Sequence, residues 1–261
     1  MALITFMSDF GDNDHYVAAV KARILGINPD LEIVDLSHSI TPFDITHGSY
    51  VLGSVFREFP PGTVHLVAVN TVDRESDNYI IINIEGHYFI GADNGLFSLI
   101  SEDHPEKIVK LSNPDIESSV FPSRDIMGRA TAMLAGGAAM EDLGIVVTDF
   151  KRMLGRQLKA TKKQISGNVI QIDHFGNAIT NIDQEIFNIL LKDRGFEIKF
   201  GRETLRTIHS GYASVEPGEC FVVFNSNGFL EIGINKGSAS ELMGLSFDSP
   251  VMINFDEERP I

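Results

Sequence analysis

Leu3-Ile4-Thr5-Phe6-Met7-Ser8-Asp9-Phe10-Gly11-Asp12-Asn13-Asp14-His15 joins an apolar run to a carboxylate-rich elbow, and Tyr16 to Ile24 then takes a helical period. A buried strand that turns directly into a helix is the opening unit of an α/β layer. In open α/β sheets, ligands sit in the crevice beyond the carboxyl ends of the strands. Asp9 and its acidic neighbours stand at such a mouth. The elbow lacks the Gly-Lys-Ser/Thr ending of a P-loop and is not a G-x-G-x-x-G turn. Carboxylates repel phosphate but accept hydrogen bonds from a ribose diol or an ammonium group. The alternative for Asp12 and Asp14 is a cap on the following helix.

Outward from the elbow, strand and helix alternate. Leu31 to Leu36 reads as a strand, Ile45 to Phe56 as a helix and Val64 to Val69 as an apolar strand of a parallel sheet. Tyr79 to Glu85 and His87 to Gly91 form a hairpin pattern about Gly86, and Arg124 to Met140 an Ala- and Gly-rich helix. From Lys151 to Lys163 the chain turns basic and loses its apolar period. Short strands follow at Ile165 to Ile172, Glu197 to Phe200, Cys220 to Asn225, Leu230 to Ile234 and Val251 to Phe255. The expected architecture is an α/β amino-terminal domain (1–155), a linker (156–163) and a small, mainly β, barrel-like carboxyl-terminal domain (164–261).

Composition narrows the function. A net charge of −15 over 261 residues argues against nucleic acid and against an anionic membrane surface. The lone Cys220 excludes an intrachain disulfide and a Cys-rich zinc site. No apolar run approaches a membrane span, and the first residues lack a basic n-region and a cleavage site, so the expected location is the cytoplasm. His15, His47, His65, His87, His104 and His209 lie singly in the sequence, and no metal site is expected.

Four segments combine across the chain: Phe6-Met7-Ser8-Asp9-Phe10-Gly11 with Asp14; Gly91-Ala92-Asp93-Asn94-Gly95-Leu96; Ile172-Asp173-His174-Phe175-Gly176-Asn177 with Thr180-Asn181-Ile182; and Asn225-Ser226-Asn227-Gly228 with Glu231 to Ala239. In this order and spacing the chain resembles the S-adenosylmethionine hydroxide adenosyltransferase family, which also contains the fluorinase and chlorinase enzymes. Asp35 to Asp44 and Phe59-Pro60-Pro61-Gly62-Thr63-Val64 support the resemblance. It implies S-adenosylmethionine as substrate with no further cofactor. It also implies a homotrimer whose nucleoside-binding site lies between subunits.

The resemblance assigns roles residue by residue. Asp9 matches the carboxylate that holds the ribose hydroxyls, and Asp14 an acidic position on the methionine side. Phe43 matches an aromatic near the ribose. Asp173 matches the partner of the methionine ammonium, Asn177 the side chain reading the adenine edge, Tyr212 the aromatic stacking on adenine, and Ser226 a contact to the methionine carboxylate. Asp93-Asn94-Gly95 reads as a turn, architecture before site.

At the attack site the chain departs from the family. Aligned from Gly62-Thr63-Val64-His65, Asn70 stands where the hydrolytic branch has an Asp, and the family Arg falls at Asp77 or Asn78. Pro122 holds the place of the family His. A shift within the loop brings Asp73 and Arg74 forward as replacement carboxylate and guanidinium. Ser123 falls at a serine of the halogenating branch. Three functions follow as expectations: hydrolysis of S-adenosylmethionine to adenosine and methionine by water attacking the ribose 5′ carbon, a catalytically silent adenosine or S-adenosylmethionine binder, and halide-dependent adenosyl transfer.

Overall fold

The computed structural model describes residues 2–72, 78–112 and 119–257. Its contacts divide the chain into two compact units, Met1–Leu154 and Gly155–Ile261.

The first unit runs β1 (Ile4–Ser8), α1 (Tyr16–Ile27), β2 (Ile33–Ser37), α2 (Ile45–Val55), β3 (Val64–Ala68), β4 (Tyr79–Ile84), β5 (His87–Ala92), β6 (Lys107–Leu111), α3 (Gly128–Ala135) and β7 (Gly144–Val147). The sheet order is β2-β1-β3-β5-β4-β6-β7. The pairs β1–β2, β1–β3 and β3–β5 are parallel, and the rest are antiparallel. Side chains alternate across β1 and β3 and are buried on both faces. Ile4, Phe6 and Leu66 pack with Val20, Ile24 and Ala132 on one side. Met7, Val67 and Val69 pack with Leu52 and Phe56 on the other.

Two sequence expectations are corrected in this unit. The helix expected over Arg124 to Met140 is shorter. Ser123–Met127 forms one wider π-type turn, α3 then ends at Ala135, and Gly136 and Gly137 tie back to Ala132 O and Leu134 O. The sheet also gains β6 and β7, which extend it by antiparallel pairing beyond the βα alternation read from the sequence.

The second unit runs β8 (Lys159–Ala160), β9 (Gln164–Ile172), β10 (Ala178–Asp183), α4 (Gln184–Leu191), β11 (Phe196–Phe200), β12 (Glu203–Leu205), β13 (Cys220–Phe224), β14 (Phe229–Ile234), α5 (Ala239–Met243) and β15 (Pro250–Phe255). All its ladders are antiparallel, in the order β12-β11-β15-β9-β10-β14-β13. β9 is shared: Gln164 to Asn168 pair with β15, and Val169 to Ile172 pair with β10. Beyond β12, His209 donates its N–H to Val222 O at 2.7 Å and accepts from Val222 N–H at 3.1 Å through Nδ1. This contact joins the two ends of the strand order and makes the sheet barrel-like around Ile165, Val169, Ile182, Val222, Ile232 and Ile253. Within residues 156–163, read as a linker, Lys159–Ala160 pairs with Ile165 and Ser166 and so belongs to this sheet. The helix α4 is absent from the sequence reading; Asp183 caps it by accepting from Glu185 and Ile186 N–H.

Candidate functional site

In the first unit, the carboxyl ends of β2, β1 and β3 meet at Asp9. Its Oδ2 accepts the N–H of Phe43 at 2.9 Å and of Asn70 at 3.0 Å. Both donors hold left-handed backbone, with φ of 67° and 47°. Non-glycine residues adopt such conformations where their surroundings over-determine them, often at functional sites. Asn94 braces the same loop, donating Nδ2 to Val69 O and Asn70 O while its Oδ1 accepts from Leu96 N–H. That is the turn role its sequence suggested.

Ser123 is fully buried beside this loop and donates to Thr71 Oγ1 at 3.3 Å. Asp9, Phe43, Asn70 and Ser123 are thus gathered around the backbone of Asn70 and Thr71. The Asn70 amide is held through its backbone, and an amide side chain is no proton acceptor at neutral pH. Asp73 and Arg74 lie outside the described residues. Asp14 is exposed in the bend before α1. The N-cap of α1 is His15, without a side-chain hydrogen bond, so neither Asp12 nor Asp14 caps the helix. Asp12 instead accepts from Ser39 Oγ at 3.5 Å.

Beneath the elbow lies a relay that no local sequence pattern announces. Ser8 Oγ contacts His38 Nδ1 at 2.7 Å, His38 Nε2 lies 3.1 Å from Asp35 Oδ1, and Lys21 Nζ reaches Asp35 Oδ2 at 2.5 Å. Burial alone raises the Asp35 carboxyl, but hydrogen bonds from Lys21 and His38 outweigh it and hold Asp35 below the ordinary carboxylate range. Ser8 is fully buried, so the relay anchors the residue before Asp9 rather than presenting a nucleophile. The histidines also do not all stand alone: His65 Nε2 and His87 Nδ1 meet at 3.1 Å in the core.

The second unit contains an open cleft of about 570 Å3, and Asp173, Asn177 and Tyr212 all line it. Phe175, Phe221, Ile234 and Lys236 complete much of the wall. Asp173 organises the β9–β10 turn: its Oδ1 accepts the N–H of Phe175 at 2.9 Å and of Asn177 at 2.8 Å. At Gly176, with φ 81°, a Cβ would lie 2.1 Å from Ser238 Oγ, so only glycine fits this turn against α5. Asn177 donates Nδ2 to Asp173 Oδ2 at 3.1 Å and to Glu231 Oε1 at 3.0 Å. Phe175 and Tyr212 are 75% and 52% exposed and stand as open aromatic faces. Tyr212 meets Phe221 edge-on at 5.4 Å between ring centres.

Ser226 is exposed at the tip of the β13–β14 turn and is not among the residues lining the cleft. Asn225 shapes that turn, accepting from Asn227 and Phe229 N–H and donating to Glu231 Oε2 at 3.1 Å. In the sequence Glu231 stands in the fourth family segment without a role of its own. Burial, the largest influence, raises its carboxyl; the hydrogen bond from Asn225 opposes this, the charge of Asp173 adds to it, and hydrogen bonds from Asn177 and Tyr212 pull it back. Burial pushes the Cys220 thiol up to about 12, which removes it as a nucleophile.

A family model described as the SAM hydroxide adenosyltransferase N-terminal domain matches residues 4–144, and one described as the C-terminal domain matches residues 167–252. The (R)-S-adenosyl-L-methionine hydrolase of Methanocaldococcus jannaschii is 35% identical, covering 94% of this chain and 93% of its own. The protein of the same name from Thermus thermophilus is 31% identical, covering 97% of this chain and 100% of its own. The crystal structure of an uncharacterized conserved protein from Thermotoga maritima superposes with a TM-score of 0.88 at 30% identity, covering 97% of this chain and all of that one. Matched by both domain models in chain order, this protein belongs to the SAM hydroxide adenosyltransferase family.

Proposed function

We propose that the chain binds (R)-S-adenosyl-L-methionine and hydrolyses it to adenosine and methionine. The observation that carries the reading is the cleft that brings Asp173, Asn177 and Tyr212 together in a chain 35% identical to a protein of that name. Water attacks the ribose 5′ carbon, the C5′–O bond forms as the C5′–S bond breaks, and the sulfur keeps the electron pair as neutral methionine thioether. The water gives up one proton. A sulfonium leaves without acid assistance, so the protein's task is to orient the water and strip solvent from the reacting centre.

Asp173 faces the methionine ammonium, Asn177 the adenine edge, and Tyr212 offers its ring to the base. Asp9 takes the ribose hydroxyls with Phe43 beside it, Asp14 and Ser226 serve the methionine end, and Asn70 and Ser123 flank the attack site. Asp73 takes the proton, and Arg74 supplies the compensating charge. No further cofactor is required.

The working form is a homotrimer with the site between subunits. The exposed aromatic faces of Phe43, Phe175 and Tyr212 support this, because apolar surface at a binding site is normally covered. No helix among the described residues is long and apolar enough to cross a membrane, and the proposed location is the cytoplasm.

Incubation of the purified protein with S-adenosylmethionine, followed by chromatography, tests the reading. Equimolar adenosine and methionine, formed without added halide and lost in Asp173→Ala, is the expected result. Binding without product would favour the silent binder, which the replacement of the family Asp by Asn70 also suits. Product only with added chloride would favour adenosyl transfer to halide.

A further inference from the structure

Glu231 sits on β14 at 3% exposure between the fully buried Leu230 and Ile232. Three donors converge on it. Asn177 Nδ2 reaches Oε1 at 3.0 Å, Asn225 Nδ2 reaches Oε2 at 3.1 Å, and the Tyr212 side chain is also hydrogen-bonded to it. Asn177 Nδ2 makes a second bond, to Asp173 Oδ2. An amide nitrogen carries two hydrogens, and here both go to carboxylates. Carboxylates accept and do not donate, so the pair fixes which way the Asn177 amide is turned. Its carbonyl oxygen is the polar atom left to meet a ligand. At Gly233 a Cβ would come within 2.4 Å of that oxygen and 2.1 Å of Phe221 Cζ, so glycine keeps both groups in place.

We propose that Glu231 is a positioning residue that sets the base specificity of the cleft: by holding the Asn177 nitrogen inward it presents an acceptor alone, which selects a 6-aminopurine nucleoside over its 6-oxo counterpart. The inference rests on the base-reading role given to Asn177 above and adds the residue that dictates its polarity. An exocyclic amino group donates to the Asn177 oxygen, whereas an oxo group meets it lone pair to lone pair. Sites built around a hydrogen bond reject the wrong partner strongly because a desolvated polar group is left unpaired. A buried carboxylate is costly in a strand unless its donors are present. Here two of the three donors, Asn177 and Tyr212, belong to residues that line the cleft, and the third shapes the turn that carries Ser226.

Calorimetric titration of the full chain with adenosine and with inosine tests this, alongside turnover of S-adenosylmethionine. The wild type is expected to prefer adenosine by about thirtyfold or more. Glu231→Gln offers one oxygen to three donors and turns an NH2 group toward its neighbours, so the ratio is expected to fall below about threefold. Glu231→Asp, which keeps the charge but withdraws it by one methylene, is the second variant and is expected to narrow the ratio similarly; thermal melting verifies that each is folded. Equal weakening of both nucleosides, with the ratio preserved, would mark a merely structural role and overturn the proposal. In the wild type, the Asn177 side-chain amide protons should be protected from exchange and little moved by adenosine in NMR spectra. A large shift of those protons, reporting that the NH2 faces the base, overturns the proposal without any variant. Turnover with a preserved ratio sinks this inference alone; a wild type that neither binds adenosine nor turns over sinks the functional reading with it.

Discussion

Asp9 Oδ2 accepts the backbone N–H of Asn70 at 3.0 Å, although the two residues are 61 positions apart. The same oxygen takes the N–H of Phe43. Asp9 follows β1, Phe43 lies in the connection after β2, and Asn70 follows β3. One carboxylate oxygen therefore ties the outlets of three adjacent parallel strands, and the geometry of the elbow after β1 depends on it.

Asp9→Ala removes that acceptor from two donors at once. Hydrogen bonds to charged groups contribute about 1.5–3 kcal/mol each. A loss of about 3 kcal/mol in unfolding free energy is expected by urea denaturation, together with loss of adenosine binding by calorimetry. Asp9→Asn keeps one acceptor oxygen and should retain more of the stability. An unchanged denaturation midpoint in Asp9→Ala would show that the tie carries no weight.

Asp73→Asn tests the proton acceptor proposed for the water. General-base assistance is worth roughly a hundredfold or more. The expected outcome is kcat reduced about a hundredfold with KM changed less than about threefold. A kcat equal to wild type removes Asp73 from the mechanism and leaves Asn70 and Ser123 as the groups to examine.

Asp173→Asn separates binding from chemistry at the other end of the substrate. The turn keeps an acceptor for Phe175 and Asn177 N–H, but the charge proposed to face the ammonium is lost. KM for S-adenosylmethionine should rise by about tenfold or more while kcat stays within about threefold. Steady-state kinetics read both values, and a fall confined to kcat would contradict the assignment.

Acid should destabilise the chain through His65. This imidazole is fully buried, and burial, assisted by the nearby His87, lowers its pKa to about 3. The unfolded chain binds that proton near pH 6.5. Between pH 6.5 and 3 the unfolded state therefore holds the extra proton, and stability falls as pH falls through this window, at up to about 1.4 kcal/mol per pH unit. His87, also lowered by burial, acts in the same direction. Urea denaturation at steps from pH 7 to pH 4 should show a steeper decline in the wild type than in His65→Gln. Parallel declines would assign the acid sensitivity to carboxylates such as Asp35 and Glu85 instead.

The elbow after β1 was legible because an apolar run, a carboxylate cluster and a helical period follow one another without a break. The cleft residues Asp173, Asn177 and Tyr212 were legible only through the joint family pattern, since Asp and Asn beside Gly176 read equally well as a turn. Asp173 and Asn177 are in fact that turn as well. The helix α4 escaped notice because its eight residues sit among Gly- and Asn-punctuated strands; the cap at Asp183 and the spacing of Ile186, Phe187 and Leu190 were its signals. The Ala-rich period runs on past α3 in the sequence, and the pair Gly136-Gly137 is the stop that ends the helix at Ala135. Glu231 and His38 lie within the family segments, and their roles were not legible for a common reason. Each acts by contacts across strands, with Asn177 and Ser8, and such contacts leave no local pattern.

His209, bonded to Val222 beyond the three-residue strand β12, has a consequence for handling the protein in concentrated solution. Open sheet margins are templates on which other chains add strands. By turning one margin of the second unit onto the other, this histidine withdraws part of the template from circulation. The same unit exposes the aromatic rings of Phe175 and Tyr212, and with less open margin beside them neighbouring copies run less risk of knitting together along their backbones.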